Sequence, residues 1–149
     1  MTARTPLPPT YFGISVVLIA GLHFVYPMTQ LINWPVRWFG LIVVGLGAWL
    51  TLWCDRLFKE YETEIKPYRT SSVLVREGPY RFSRHPMYAG MTLLLLGLAL
   101  LMGSLVSFLP VIGFALCMRV VFIPVEEKML RDKFGTDYNR YCRKVRRWI

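Results

Sequence analysis

Acidic residues are scarce in this chain: nine Asp and Glu stand against eighteen Lys and Arg in 149 residues. Cysteine is scarcer still. Cys54, Cys117 and Cys142 lie far apart and show no paired metal-ligand spacing, which sets aside a disulfide framework and a zinc site, and no metal is expected. Charged residues of both signs make up only 18% of the chain, against 54% hydrophobic and 15% aromatic. A soluble domain of this length carries more charge and less apolar content. Internal repeats and low-complexity stretches are absent too, which argues against a repeat array or a biased tail. The net charge of +9 raises the question of a nucleic-acid partner. The basic residues, however, flank apolar segments of spanning length, so topology and anionic headgroups account for them, and no nucleic acid is expected.

What the chain has is segregation. Four apolar blocks hold most of the hydrophobic residues, at about 11–27, 36–54, 87–109 and 110–125. The expected architecture is an all-α integral membrane protein, one domain over 1–149, with about four transmembrane helices, a loop over 55–86 and a C-terminal segment over 126–149 containing an interfacial helix. Block one has the basic start and apolar middle of a signal peptide, but no small-x-small cleavage site follows, so it reads as a retained span. Block two carries Gly40, Gly45 and Gly47, spaced to let a neighbouring helix approach closely. Trp34, Trp38, Trp49 and Trp53 bracket it as interfacial anchors. Block three is the longest and cleanest, and block four follows with almost no linker, which predicts a tight helical hairpin.

Seven Lys and Arg fall between Arg56 and Arg84, and eight between Lys128 and Arg147. The turn near Gly103 to Phe108 has none, and the turn between blocks one and two has only Arg37 at its edge. The positive-inside rule places both termini and the 55–86 loop in the cytoplasm, in a bacterial inner membrane or an ER-type membrane. The polar work of the protein is then expected at its cytoplasmic face.

Three features stand out there. In Gly78–Gly90, Gly-Pro makes a turn and Pro86 starts the third membrane helix. The N–H groups and positive dipole end of that helix, with Arg84 and His85, suit a carboxylate or phosphate; the other reading is a headgroup anchor. Glu126-Glu127, expected at the C-terminal end of the fourth helix, oppose its dipole and call for a cationic ligand or a basic neighbour such as Lys128, Arg131 or the loop. Phe134, Tyr138 and Tyr141 share one helical face, as an amphipathic interfacial helix or as a wall that tolerates a cation. His23, inside block one, is read as a bond across helices.

The ordered set Leu74-Val75-Arg76-Glu77-Gly78-Pro79-Tyr80, Arg84-His85-Pro86-x-Tyr88-x-Gly90, Glu126-Glu127-x-x-Leu130 and Phe134-Gly135-x-x-Tyr138-x-x-Tyr141 resembles the isoprenylcysteine carboxyl methyltransferase family and its relatives, the membrane phospholipid methyltransferases. The resemblance runs from about Lys66 to Ile149. It implies S-adenosylmethionine as methyl donor, S-adenosylhomocysteine as product, and no Rossmann domain. It implies donor contacts from Tyr80, Arg84, His85, Pro86, Tyr88 and Gly90, with Glu126 and Glu127 holding polar groups and Leu74 and Val75 covering the adenine. The acceptor it implies is lipophilic or lipidated, reached from among the membrane lipids: the carboxylate of an isoprenylcysteine-like substrate, or alternatively a phospholipid amine. A nicotinamide-dependent reductase-like module or a non-catalytic membrane module is the rival from another class. Family members often carry an arginine where this chain has Phe122. Arg119, an arginine inside a spanning segment, is the candidate to replace it, with Glu127, in the catalytic role; the bland reading is that it snorkels and pairs with a glutamate.

Overall fold

A computed structural model describes residues 7–26, 32, 34–61 and 73–148 of the chain. Arg4, Lys66, Arg69 and the 62–72 part of the expected loop lie outside these. The described residues form five α-helices: α1 (Pro8–Val25), α2 (Phe39–Glu60), α3 (Pro86–Met102), α4 (Phe108–Cys117) and α5 (Ile123–Lys144). The protein is all-helical and multi-pass, as the segregated hydropathy predicts. Among the described residues, three helical stretches are long and apolar enough to cross a membrane, and α3 is a shorter apolar helix of 17 residues, about 25 Å. Side chains such as Val17, Leu46, Trp49 and Val120 are exposed although apolar, as a lipid solvent requires.

The third block does not run to residue 109. Helix α3 stops at Met102 because Gly103 takes a left-handed conformation (φ 72°) and returns its N–H to the Ala99 carbonyl at 2.9 Å. A Cβ at Gly103 would sit 2.5 Å from Arg37 Nε, so the Arg37 side chain lies against this helix end, where cations are favoured, and bonds the Ile32 carbonyl at 2.8 Å. His23 meets Ser104 at 3.3 Å at the same end of the bundle, and Ser104 meets Ser107 at 2.7 Å. These short polar ties join α1 to the α3–α4 turn.

Helices α2 and α3 pack antiparallel through two glycine pairs, Gly40 with Gly97 and Gly47 with Gly90. A Cβ on Gly40 would stand 2.7 Å from the Gly97 carbonyl oxygen, and one on Gly47 would stand 2.8 Å from that of Gly90. The backbones therefore touch. Gly45, by contrast, has open space around it. Helix α2 continues six residues past the expected end at 54, so Trp49 sits in mid-helix rather than at its end. Trp53 lies close to Gly78 instead of standing alone in an interface.

The fourth block passes without a break from α4 through a π turn (Met118–Phe122) into α5. Pro124 explains the widened turn: it has no N–H to offer Val120, and its ring would crowd that carbonyl in a regular helix. Straightened, the stretch 105–144 would measure about 60 Å, twice the hydrocarbon thickness, so a single span does not accommodate its charged half beyond Val125. Glu126 and Glu127 are consequently not at a helix C-terminus; they lie in the opening turns of α5, and the dipole argument for them fails. The helix bends again at Gly135 (φ 48°, ψ −115°). Ile19, Tyr88, Leu95, Ala99, Phe114, Met118 and Phe122 form the core between α1, α3 and the α4–α5 stretch.

Candidate active site at the charged end of the bundle

The start of α1, the end of α2, the start of α3 and the start of α5 all lie at one end. Tyr11 of α1 packs edge-on against Phe122, with centroids 5.4 Å apart, while Ser107 at the far end reaches the Ile19 carbonyl. This architecture brings two separate motifs together. Gly78 (φ 55°) and Pro79 open a tight 3-10 turn, Gly78–Arg81, and Pro86 begins α3 with His85 just before it. No side chain caps that helix. The His85 ring turns instead toward α5, stacked on Tyr88 at 6.0 Å and 11°.

His85 Nδ1 lies 3.2 Å from Glu126 Oε2, and the Tyr88 hydroxyl donates to Glu126 Oε1. Glu127 is surrounded by cations: Arg84 Nη1 at 2.9 Å, Arg147 Nη2 at 3.1 Å and His85 Nε2 at 3.6 Å. Both His85 and Glu127 are buried. Burial disfavours the imidazolium, but bonds to Glu126 and Glu127 outweigh it and hold the His85 pKa above the ordinary histidine value. Burial likewise works against the Glu127 carboxylate, yet His85, Arg84 and Arg147 hold its pKa below the usual range. The glutamates thus find their compensation in Arg84, His85 and Arg147, not in Lys128 or Arg131.

The C-terminal tail closes the site. The Arg84 N–H donates to the Arg146 carbonyl at 3.0 Å beside a Ser83–Arg146 bridge, and the Tyr141 hydroxyl donates to the Tyr80 carbonyl at 2.7 Å. Arg84 Nη1 also contacts Cys142 Sγ at 2.8 Å. Arg147, Cys142 and Trp148 escape a reading of the sequence, because one arginine among eight basic residues carries no local signal of its partner.

Of the residues singled out from the sequence, Arg84, His85, Tyr88, Glu126 and Glu127 converge, with Pro86 setting the start of α3. Val75 and Tyr80 are buried beside Cys54 and Leu57, and Leu74 packs on Tyr138, Tyr141 and Val145. These three form the protein layer next to the cluster. Gly90 lies at the α2 contact, where a Cβ would stand 2.5 Å from Thr51 Oγ1, so its small size serves helix packing. Arg119 does not join the cluster. It is exposed on the π turn and makes no ion pair among the described residues, while Phe122 is buried in the core.

Several buried polar atoms make no hydrogen bond within the protein: Arg84 Nε, Tyr138 OH and Trp148 Nε1, while Glu127 Oε1 and His85 Nε2 have the ion pairs described above. Each such atom costs about 1–3 kcal/mol if left unmet. The Arg84 donor and the Tyr138 hydroxyl, beside the two glutamates, fit a small zwitterion with a carboxylate, an amine and hydroxyls.

An all-helical bundle with a charged cluster at one helix-end face, and no nucleotide-binding sheet among the described residues, defines a multi-pass helical membrane protein. The chain belongs to the phospholipid methyltransferase family, whose model matches residues 35–137. A probable protein-S-isoprenylcysteine O-methyltransferase of Oryza sativa subsp. indica is 31% identical over 117 residues, 75% of this chain and 60% of the relative. The Schizosaccharomyces pombe protein-S-isoprenylcysteine O-methyltransferase is 38% identical over 76 residues, covering 49% of this chain and 31% of the relative. An uncharacterized Haemophilus influenzae protein is 43% identical over 63 residues, 42% of this chain and all of that protein. A solved eukaryotic intramembrane Ras methyltransferase, isoprenylcysteine carboxyl methyltransferase, shares the fold with a TM-score of 0.70 at 24% identity, covering all of this chain and 54% of that one. The chain therefore spans little more than half the length of that structure and of the rice relative.

Proposed function

We propose that the protein is an S-adenosylmethionine-dependent membrane methyltransferase whose site faces the cytoplasm and whose acceptor is lipophilic. The observation that carries this reading is the Arg84–His85–Glu126–Glu127 cluster, in which His85 and Glu127 are buried and Arg84 Nε and the Tyr138 hydroxyl lack hydrogen-bond partners. Arg84 and His85 would bind the donor's carboxylate, and Glu126 and Glu127 its amine or hydroxyls. The Tyr88 and Tyr138 rings suit a sulfonium. The bound donor supplies an electrophilic methyl group.

The protein's own contribution is placement and dryness. Tyr88 and His85 fix Glu126 from one side, and the tail pairing at Arg146 holds Arg84 in position. The packed Tyr138–Tyr141–Val145 layer and Trp148 exclude water, so alignment of donor and acceptor and partial desolvation carry most of the rate. A lipidic acceptor reaches this end of the bundle from within the membrane, while the soluble donor enters from the water side.

The acceptor proposed from the curated relatives is the carboxylate of an isoprenylcysteine-like substrate. One observation favours a phospholipid amine instead: Phe122 is buried and Arg119 points outward, so no cation from this turn awaits a carboxylate. Titration of S-adenosylhomocysteine and of a reduced nicotinamide cofactor into the detergent-purified protein tests the class. Micromolar binding of the first, weakened by Glu127→Ala, supports it; binding of only the nicotinamide, or donor binding that survives His85→Ala with Glu127→Ala, overturns it. Labelled methyl transfer to membrane lipids then separates a base-labile ester from a labelled headgroup amine.

A further inference from the structure

Beside the tail, and apart from the Glu126–Glu127 cluster, Arg76, Arg81, Arg140 and Lys144 line one open pocket of about 290 Å³ over Tyr141 and Val145. All four cations are exposed, no carboxylate is among the lining residues, and none of the four forms an ion pair among the described residues. Arg76 is oriented by a bond to the Asp137 carbonyl at 3.4 Å, and Tyr141 by its bond to Tyr80.

Lys144 has a structural reason for its place, since it ends α5 where the dipole favours a cation. Arg81 has no such reason, and Arg76 has only its bond to the Asp137 carbonyl. They arrive from a different part of the chain, and gathering them with Arg140 in one concavity costs mutual repulsion. A concave surface of a single sign focuses its field and raises the local concentration of anions. Arginine forks match the oxygens of a phosphate. The volume lies just below the roughly 300–1,000 Å³ range of small-molecule sites, room for a headgroup rather than a large ligand.

A separate observation points to the membrane as the source. Phe82, next to Arg81 and four residues before α3 enters its span, is 80% exposed. An aromatic ring left bare beside an arginine at this level suits the headgroup–acyl boundary. We propose that the pocket binds the phosphate of an anionic membrane lipid, with Phe82 seated in the boundary beside it. None of its four cations belongs to the methyl-transfer cluster, so the assignment stands or falls independently of that reading.

Short-chain phosphatidic acid, short-chain phosphatidylcholine and inorganic phosphate are titrated separately into the full chain in neutral detergent, with binding followed by thermophoresis. Saturable binding of phosphatidic acid is expected, about tenfold or more tighter than phosphatidylcholine or inorganic phosphate, and weakening as salt rises. Arg81→Gln with Arg140→Gln weakens it by a further factor of about ten or more, and Lys144→Gln alone weakens it measurably. Lys128→Gln with Arg131→Gln, exposed cations outside the pocket, leaves it unchanged. Equal affinity for phosphatidylcholine, absence of saturation, or undiminished binding in both pocket variants overturns the site. Inorganic phosphate binding as tightly as the lipid overturns the lipid as its ligand.

Discussion

Replacing Glu127 by glutamine should destabilise the protein more than replacing Arg84, although the two share one ion pair. The reason is asymmetry of partners. Arg84 Nη1 has Glu127 as its carboxylate, at 2.9 Å, whereas Glu127 also holds His85 and Arg147. Two unit charges about 3 Å apart attract by roughly 5 kcal/mol at an effective dielectric of about 20, and the desolvation of both groups offsets much of that. Removing one partner leaves the other charge buried and unpaired. For Glu127→Gln this strands Arg84 and weakens His85, so a loss of about 3 kcal/mol is expected, at the low end for a broken buried pair because glutamine keeps one acceptor. Arg84→Gln leaves Glu127 with two cations and should cost about 1–2 kcal/mol. The double variant should cost about as much as Glu127→Gln alone, a coupling of about 1.5 kcal/mol. At this chain length each kcal/mol moves Tm by roughly 2–4 °C, so Glu127→Gln should melt about 6–12 °C lower. Thermal unfolding in detergent, followed by tryptophan fluorescence, reads all three variants. An Arg84→Gln loss equal to or greater than that of Glu127→Gln, or strict additivity in the double variant, refutes the partner argument.

Gly47→Ala and Gly90→Ala each drive a methyl group into opposing backbone and should lose about 1–3 kcal/mol, while Gly45→Ala, in open space within α2, should be neutral or gain up to about 1 kcal/mol; equal effects in the three melts would contradict the glycine-pair contact. Because His85 has a raised pKa in the folded protein, its charged form adds stability that is full below about pH 6.5 and is lost as pH rises through the folded-state value. Melting curves from pH 6 to 9 should therefore fall less steeply in His85→Gln than in the parent, and parallel slopes would count against it. Arg119→Gln, on an outward-facing turn, should leave donor affinity and Tm within error; a tenfold loss of donor binding would return Arg119 to the site.

The membrane class, the helices and the segments in which charge gathers were legible in the sequence because hydropathy and charge are local properties summed over short windows. The motif from Arg84 to Tyr88 and the pair Glu126-Glu127 were legible as candidates for the same reason. Their partners were not. Glycine spacing alone does not distinguish Gly47, which touches α3, from Gly45, which touches nothing; that depends on the angle at which two helices cross. The extent of a helix is also decided by tertiary context: Gly103 ends α3 inside an unbroken apolar run, and Pro124 widens α4 into α5 instead of stopping it. Arg147 becomes one of Glu127's partners only because the tail folds back onto Ser83 and Arg84, more than sixty residues away in sequence. Composition and periodicity thus determined which segments enter the membrane and which face water. Which charge meets which carboxylate, and which arginine is left facing out, were decided by packing, since pairing energies depend on distance and burial that no single segment contains.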